Sequence, residues 1–498
     1  MPGAGRRQPR ERPEPAPAPG VPEPPLPDVL AGLGAARVLE YGNLAGEPLG
    51  LEAPLFLDSG PVPIATAPPV ISGARALVQG DNWSPTPLPQ GLGPEYRYKD
   101  TRGWITHNIT AQDPESGRLE CLIGDQAWKI VNAFDTPTAF LHLAFSAYAA
   151  RQEKPWAGEM QIRGTDLINA LGLGHRKDLS KAEKLGRIVT QARLLNSLGV
   201  CIDWALPNSP RWVVNLSRMW EVSFTVTGQS RLRLPAEADL PADPLLDRIA
   251  DEVILNVRPG KWAEFFLNRG GLKAGSSLFW VSYMAESVLQ FDPYQEPIAS
   301  RLAVLLTLTL GTGNPRRTVQ PLIDYAFSAA EREAAQHGRD ARYNVKQAFD
   351  NALHTLSRAG WRITFPEGSY PAYLVPAWAR SPGSAPAGRL PRGYWPAFLK
   401  ATLEIRPPGD IPERLAANRG QLPGQAGAKK AKARPRSMTG EEVRQARTRR
   451  GLSQKQLGDI LGKSQTWVAR VERGTRTPAP EDYARLRAIF AESGREQA

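Results

Sequence analysis

The sequence predicts a mainly α-helical protein with an α+β body, closed by a small all-α domain. Three observations predict it. From about residue 119 onward, apolar residues recur at helical spacing in most segments. At two places roughly 160 residues apart, an apolar helix end meets a glycine and then a β-run carrying a tryptophan: SLGVCIDW at 197–204 and RAGWRITF at 358–365. The stretch from Thr439 to Phe490 is punctuated by capping residues and glycines at intervals that suit short helices.

Composition sets limits. A chain of 498 residues has room for roughly two to four domains with cores of their own. Sixty-two Lys and Arg against 50 Asp and Glu leave a net charge of +12, which favours polyanionic partners. Cys121 and Cys201 are too few for a disulfide framework or a zinc site. No apolar run reaches the length of about eighteen residues that a membrane span needs. The N-terminal arginines are not followed by the apolar core of a signal peptide. The expectation is a soluble, cytoplasmic, bacterial protein associated with the nucleoid or a plasmid, without membrane contact.

Residues 1–27, rich in Pro, Arg, Glu and Ala, bury too little apolar surface to fold and read as a disordered tail. Residues 28–117 are still dense in Pro and Gly. The runs Pro54–Leu57 and Val62–Ile64 suit strands, confined to sheet edges by their prolines; the rest of the segment stays undefined.

Residues 118–235 read as one unit. Phe140–Ala150 and Thr165–Leu173 are helices, and Leu179–Leu198 is a longer amphipathic helix with Lys181, Lys184, Arg187 and Arg193 along it. Gly199 stops it, and Val200–Trp204 and Arg211–Leu216 read as strands joined by a Pro/Asn turn. Three helices followed by a two-stranded ribbon is the order of a winged helix. Ala236–Pro244 reads as a linker and Leu245–Phe291 as mixed helical packing. Residues 245–380 repeat the winged-helix-like order: helices at Ile298–Leu310, Val319–Phe327 and Val345–Ala359, then Gly360 and a hairpin of Trp361–Phe365 with Tyr373–Val375. Residues 406–437, rich in Gly, Ala, Lys and Arg, read as a flexible basic linker.

The final domain spans 438–492. Thr439 with Glu442 forms a capping box that starts a helix, which Gly451 ends. Ser453 with Gln456 is a second box, opening a short helix that stops at Gly462. Ser464 caps a third helix, which ends at Gly474. Leu457, Ile460, Leu461, Val468 and Val471 sit at helical spacing and face one small core. Gly458 is small where two helices pass closely, and Gly462 stands where the turn needs positive φ. These features make a helix-turn-helix. From Lys429 to Arg487 there are sixteen Lys or Arg and six Asp or Glu, so most of the chain's excess positive charge sits here.

This stretch resembles the Cro/lambda-repressor-like (XRE) family of DNA-binding domains. GLSQKQLGDILG (Gly451–Gly462) matches the first motif helix, and SQTWVARVERG (Ser464–Gly474) the recognition helix and its exit. The resemblance covers about 50 residues, about a tenth of the chain. It implies that Gln465, Thr466 and Arg470 read base edges in the major groove with Ser464 nearby, and that Gln454 contacts the phosphate backbone and braces the readers. The side-chain chemistry agrees, since Gln pairs with adenine and Arg with guanine. Lys463, Trp467, Arg473 and Arg476 complete the expected DNA-contacting set. Lys463 stands where the family has an apolar residue. Trp467 stands where it has a small polar one, and either packs on sugars or supports the domain.

The layout of about 120–380 resembles plasmid replication initiators built from two winged helices. That resemblance implies a second DNA site on Leu179–Leu198, with Arg187 and Arg193 in the groove and Lys181 and Lys184 on the backbone. The implied partner is double-stranded DNA, and a homodimer is compatible with it. The other readings are a transcriptional regulator whose body senses a ligand or self-associates, and an enzyme or scaffold tethered to DNA by its tail.

Enzyme signatures fall short. GDILGKS (Gly458–Ser464) is one residue short of a phosphate loop and follows no strand, and GTGNPR (Gly311–Arg316) lacks the third glycine of a dinucleotide loop. The five histidines, His107, His142, His175, His337 and His354, show no ligand spacing. No catalytic residue, cofactor or metal is expected, and the protein is not expected to be an enzyme. The tryptophans, among them Trp204, Trp212, Trp220, Trp262, Trp280 and Trp361, are expected to pack in cores.

Overall fold

The computed structural model describes residues 51–419, apart from 59, 90, 114–115, 207–208, 228–250, 269–280, 310–313 and 381–389. It also describes residues 440–476 and, beyond them, positions 478, 482, 485, 486 and 489. The expected tail at 1–27, the linker at 236–244 and Trp280 lie outside the described residues, as does most of the basic linker. Contacts divide the chain into two units, Met1–Asn418 and Arg419–Ala498.

In the body, β1 (Val62–Ala65) leads into α1 (Pro68–Val78), whose first turn takes Pro68 and Pro69 where a missing N–H is harmless. Antiparallel strands follow: β2 (Ser84–Leu88), β3 (Gly91–Asp100), β4 (Gly103–Gln112) and β5 (Leu119–Cys121). Strand β2 carries Pro85 and Pro87 and lies at the sheet edge, where absent ladder donors are tolerated. The segment read as undefined is therefore ordered helix and sheet from β1 onward. Pro54–Leu57 departs the other way: it forms no strand, and Leu55–Leu57 lie in a turn.

Next come α2 (Gly124–Ala133), α3 (Thr136–Arg151), β6 (Met160–Arg163), α4 (Gly164–Ala170) and α5 (Lys181–Ser197). Helix α3 is buried on nearly every side, as its unbroken apolar text requires, and Asp135 caps it by accepting from the Thr138 N–H at 2.8 Å. A reciprocal Ser180–Glu183 capping box starts α5. Strands β7 (Leu198–Leu206), β8 (Ser209–Arg218), β9 (Trp220–Thr227) and β10 (Glu252–Pro259) follow.

Here the structure corrects the sequence reading. Strands β7 and β8 form and pair as expected, but they extend the N-terminal sheet, ordered β2-β3-β4-β7-β8 with β5 beside β4. The sheet belonging to α3, α4 and α5 is instead β6-β10-β9. Alternation marks β7 as a strand with one buried face, through Val200, Ile202 and Trp204, but alternation does not name the partner strand. The stretch expected as helical packing up to Phe291 holds more strand than helix where described. It holds β10, the single-turn α6 (Trp262–Phe266) and β11 (Val281–Met284), which pairs with β1.

The rest of the body runs α7 (Pro297–Thr309), β12 (Arg316–Thr318), α8 (Val319–Ala326), α9 (Ala329–His337), α10 (Arg339–Arg358), β13 (Arg362–Thr364), α11 (Tyr394–Lys400), β14 (Thr402–Arg406) and α12 (Ile411–Arg419). The expected hairpin with Tyr373–Val375 is absent: Ala372–Leu374 is one 3-10 turn, and β13 pairs with β14 in a sheet ordered β12-β14-β13. Helix α12 begins inside the stretch expected to be linker, and Ile411 and Leu415 are buried.

Two runs now share one order. In α3–β6–α4–α5–β9–β10 and in α7–β12–α8–α10–β13–β14, the strand before the short helix pairs with the last strand, which is central in its three-stranded sheet. The β7–β8 hairpin is inserted in the first run, and α9 and α11 in the second.

Trp204, Trp220, Trp262 and Trp361 are core residues, and Trp212 is half-buried. Two buried histidines tie the body together. His107 lies with Nδ1 3.0 Å from the Gly199 carbonyl and Nε2 2.8 Å from Ser72 Oγ. His142 has Nε2 2.9 Å from the Val70 carbonyl and accepts from Trp220 Nε1 at Nδ1. Burial holds both rings neutral, His107 down to about 3 and His142 to about 4.

The second unit holds α13 (Gly440–Arg449), α14 (Gln454–Leu461) and α15 (Gln465–Glu472). Its core is Val443, Leu457, Leu461, Trp467, Val468, Val471 and Leu486. Ile460, expected in that core, is 56% exposed. So small a domain covers only the Leu457–Leu461 flank of α14.

Candidate nucleic-acid interface

The helix-turn-helix is set by local chemistry. Ser453 Oγ accepts from the Gln456 N–H at 3.1 Å, and Gln456 Oε1 accepts from the Ser453 N–H at 2.8 Å, so two end donors of α14 are satisfied reciprocally. Gly462 ends α14 at φ +68°, a left-handed conformation that favours glycine. A Cβ on Gly458 would lie 2.7 Å from the Lys463 carbonyl oxygen, so glycine there lets the turn and the start of α15 close onto α14. Ser464 caps α15 by accepting from the Trp467 N–H at 3.2 Å.

An internal ion pair fixes the other end. Glu472, its side chain only 4% exposed, accepts from Arg447 Nε at 2.6 Å and from Gln454 Nε2 at 2.7 Å. One carboxylate thus ties α13, α14 and α15 together. Sequence reasoning missed this role for Arg447 and Glu472, because a pair 25 residues apart leaves no periodic signal.

The expected DNA-contacting residues divide into two sets. Ser464, Gln465, Thr466, Arg470, Arg473 and Arg476 are exposed. Thr466, Arg470 and Arg473, at i, i+4 and i+7, form one stripe along α15 with Gln465 beside it. The other three are committed within the domain. Gln454 is half-buried and gives an amide N–H to Glu472. Lys463 Nζ lies 3.1 Å from Asp482 and 5.6 Å from the centre of the Trp467 ring. Trp467, 7% exposed, belongs to the core. Of its two expected roles it therefore takes the supporting one, because its indole is buried in the small core with Leu457, Leu461 and Val468.

In the body, the four basic residues of α5 do not form one face. Lys181 is exposed in the first turn, and Lys184, Arg187 and Arg193 are half-buried. Six residues of helix turn Arg187 and Arg193 about 120° apart, so the expected pairing of these two in one groove is not supported by their placement. Among the described residues, no group of His, Cys, Asp and Glu is placed to hold a metal ion, and no helix is long and apolar enough to cross a membrane.

Residues 440–498 match the family described as Helix-turn-helix domain, consistent with the Cro/lambda-repressor-like resemblance. That domain points to DNA binding. No curated protein and no solved structure matched the chain.

Proposed function

We propose that the protein binds double-stranded DNA sequence-specifically through α15, and that its body is a pair of winged-helix units of the kind found in plasmid replication initiators. The observation that carries the first part is the exposed row of Gln465, Thr466, Arg470 and Arg473 on a helix capped and braced at both ends. Pre-set side chains of this kind suit paired contacts to adenine and guanine edges. The repeated helix–strand–helix–helix–strand–strand order, with the last strand central in both sheets, supports the winged-helix reading. Lys181, Lys184 and Arg187 on α5 are then a supplementary backbone contact. The reading assigns the protein no catalytic reaction.

One observation favours a transcriptional regulator instead. A cavity of about 190 Å³ lies beside the α4–α5 turn, walled by Phe140, Leu171, Arg187, Gln191 and Phe291, where a small ligand would touch α5. Mapping bound sites across the host genome separates the two. Repeated short sites clustered near the gene support the initiator, and a single palindrome upstream of the gene supports the regulator. Absence of any enriched site overturns both.

A further inference from the structure

Helix α10 occupies in the second run the position that α5 has in the first, yet its surroundings differ. Its outward stripe of Tyr343, Gln347 and Asn351 is exposed, Tyr343 by 54%. Beside that stripe runs a groove of about 1030 Å³, whose far wall is built from 373–380 and 390–395. This is the upper end of the volume that small-ligand pockets reach.

The lining has two zones. The mouth is basic: Arg339 and Arg392 are exposed there, and the groove as a whole holds five cationic side chains against two carboxylates. The walls are aromatic, with Tyr343, Tyr373, Trp378 and Tyr394. Deeper in, Asp350 uses Oδ2 for Lys346 Nζ at 2.5 Å, while its buried Oδ1 has no hydrogen-bond partner. The buried Tyr394 hydroxyl has none either. Burial lifts the Asp350 carboxyl above the usual carboxylate range, as expected where only Lys346 offsets desolvation.

Each zone excludes a class of occupant. A bare anion gains nothing from aromatic walls and meets a carboxylate at depth. A cation is repelled at the mouth. A purely apolar ligand leaves the arginines at the mouth without a counter-charge. What fits is a planar ring with an anionic group attached. We propose that this groove binds a nucleotide whose base is unpaired: the base stacks on the tyrosines, and the phosphate lies at Arg339 and Arg392. The nucleotide is either free or part of a single DNA strand, since the recognising chemistry is the same. The site is separate from α15 and does not depend on duplex reading by the tail.

The test uses the full chain and two variants of exposed residues that the fold does not need, the double variant Tyr343→Ala/Tyr373→Ala and Arg392→Ala. Binding of fluorescein-labelled oligo-deoxycytidine is read by anisotropy at physiological salt, and binding of dCMP by calorimetry. Loss of one stacked base lowers affinity by about fivefold or more, so the tyrosine variant weakens oligonucleotide binding at least that much, and Arg392→Ala weakens it severalfold. An excess of unlabelled duplex, which occupies α15, leaves this binding unchanged, which separates the groove from the tail. Saturable dCMP binding that the tyrosine variant abolishes assigns the groove to a free nucleotide; oligonucleotide binding alone assigns it to a strand. Wild-type affinity in both groove variants for both probes overturns the proposal.

Discussion

Replacing Glu472 with Ala removes the carboxylate that joins three helices. Arg447, its side chain 14% exposed, is left with its charge inside the domain, and the Gln454 amide loses its acceptor. Breaking a buried pair from one side costs about 3–5 kcal/mol, because the remaining charge is uncompensated. The matching domain, residues 440–498, has a total stability of roughly 3–9 kcal/mol at the usual value per residue. The substitution therefore removes a third or more of the stability, and at the lower end all of it. Amide hydrogen exchange on the full chain reads this directly. Amides of α13, α14 and α15 should exchange at least a hundredfold faster, while those of α3 and α7 in the body stay unchanged. A second substitution, Arg447→Leu, should restore part of the protection by removing the stranded charge. Unchanged exchange in Glu472→Ala would refute the idea that this carboxylate holds the helices in place.

Gly458→Ala gains up to about 1 kcal/mol in helix propensity, but its Cβ meets the Lys463 carbonyl oxygen at 2.7 Å, and overpacking costs about 1–3 kcal/mol. The expected outcome is net destabilisation of α14–α15 by hydrogen exchange, and stabilisation would contradict the close approach. Acid should weaken the body through His107 and His142. Their folded-state values, about 3 and about 4, lie below the unfolded value of about 6.5, so the unfolded chain binds more protons. Stability is intact above pH 6.5 and falls as pH drops towards 4, by about 1.4 kcal/mol per unit for each histidine. Urea titrations followed by tryptophan fluorescence at pH 7 and pH 5 check this, and equal midpoints would contradict it.

The tail was legible because its signals are local. Ser453 with Gln456, Gly462 and Ser464 each act within four residues, and the structure places all of them as read. The long helices α3, α5, α7 and α10 were legible for the same reason. Strand partners were not. The ends of β7 and β4 that pair are about 90 residues apart, and nothing in VCIDW says that it joins β4 rather than β9. The Pro-rich text before residue 117 stayed undefined in the sequence because its prolines sit at a helix start and on the edge strand β2, places that tolerate them. At the interface, exposure of Gln465, Thr466 and Arg470 followed the helical repeat. The burial of Trp467 and the pairing of Lys463 with Asp482 depended on packing that no single segment encodes.

The central claim is that α15 reads base-pair edges. Selection of bound duplexes from a random pool tests it most directly, run with the full chain and with Arg470→Ala. The account predicts an enriched motif for the unaltered chain, loss of preference at one position in the variant, and about 1–3 kcal/mol weaker binding to the selected site with little change on random duplex. The same motif and the same affinity from both proteins would contradict it.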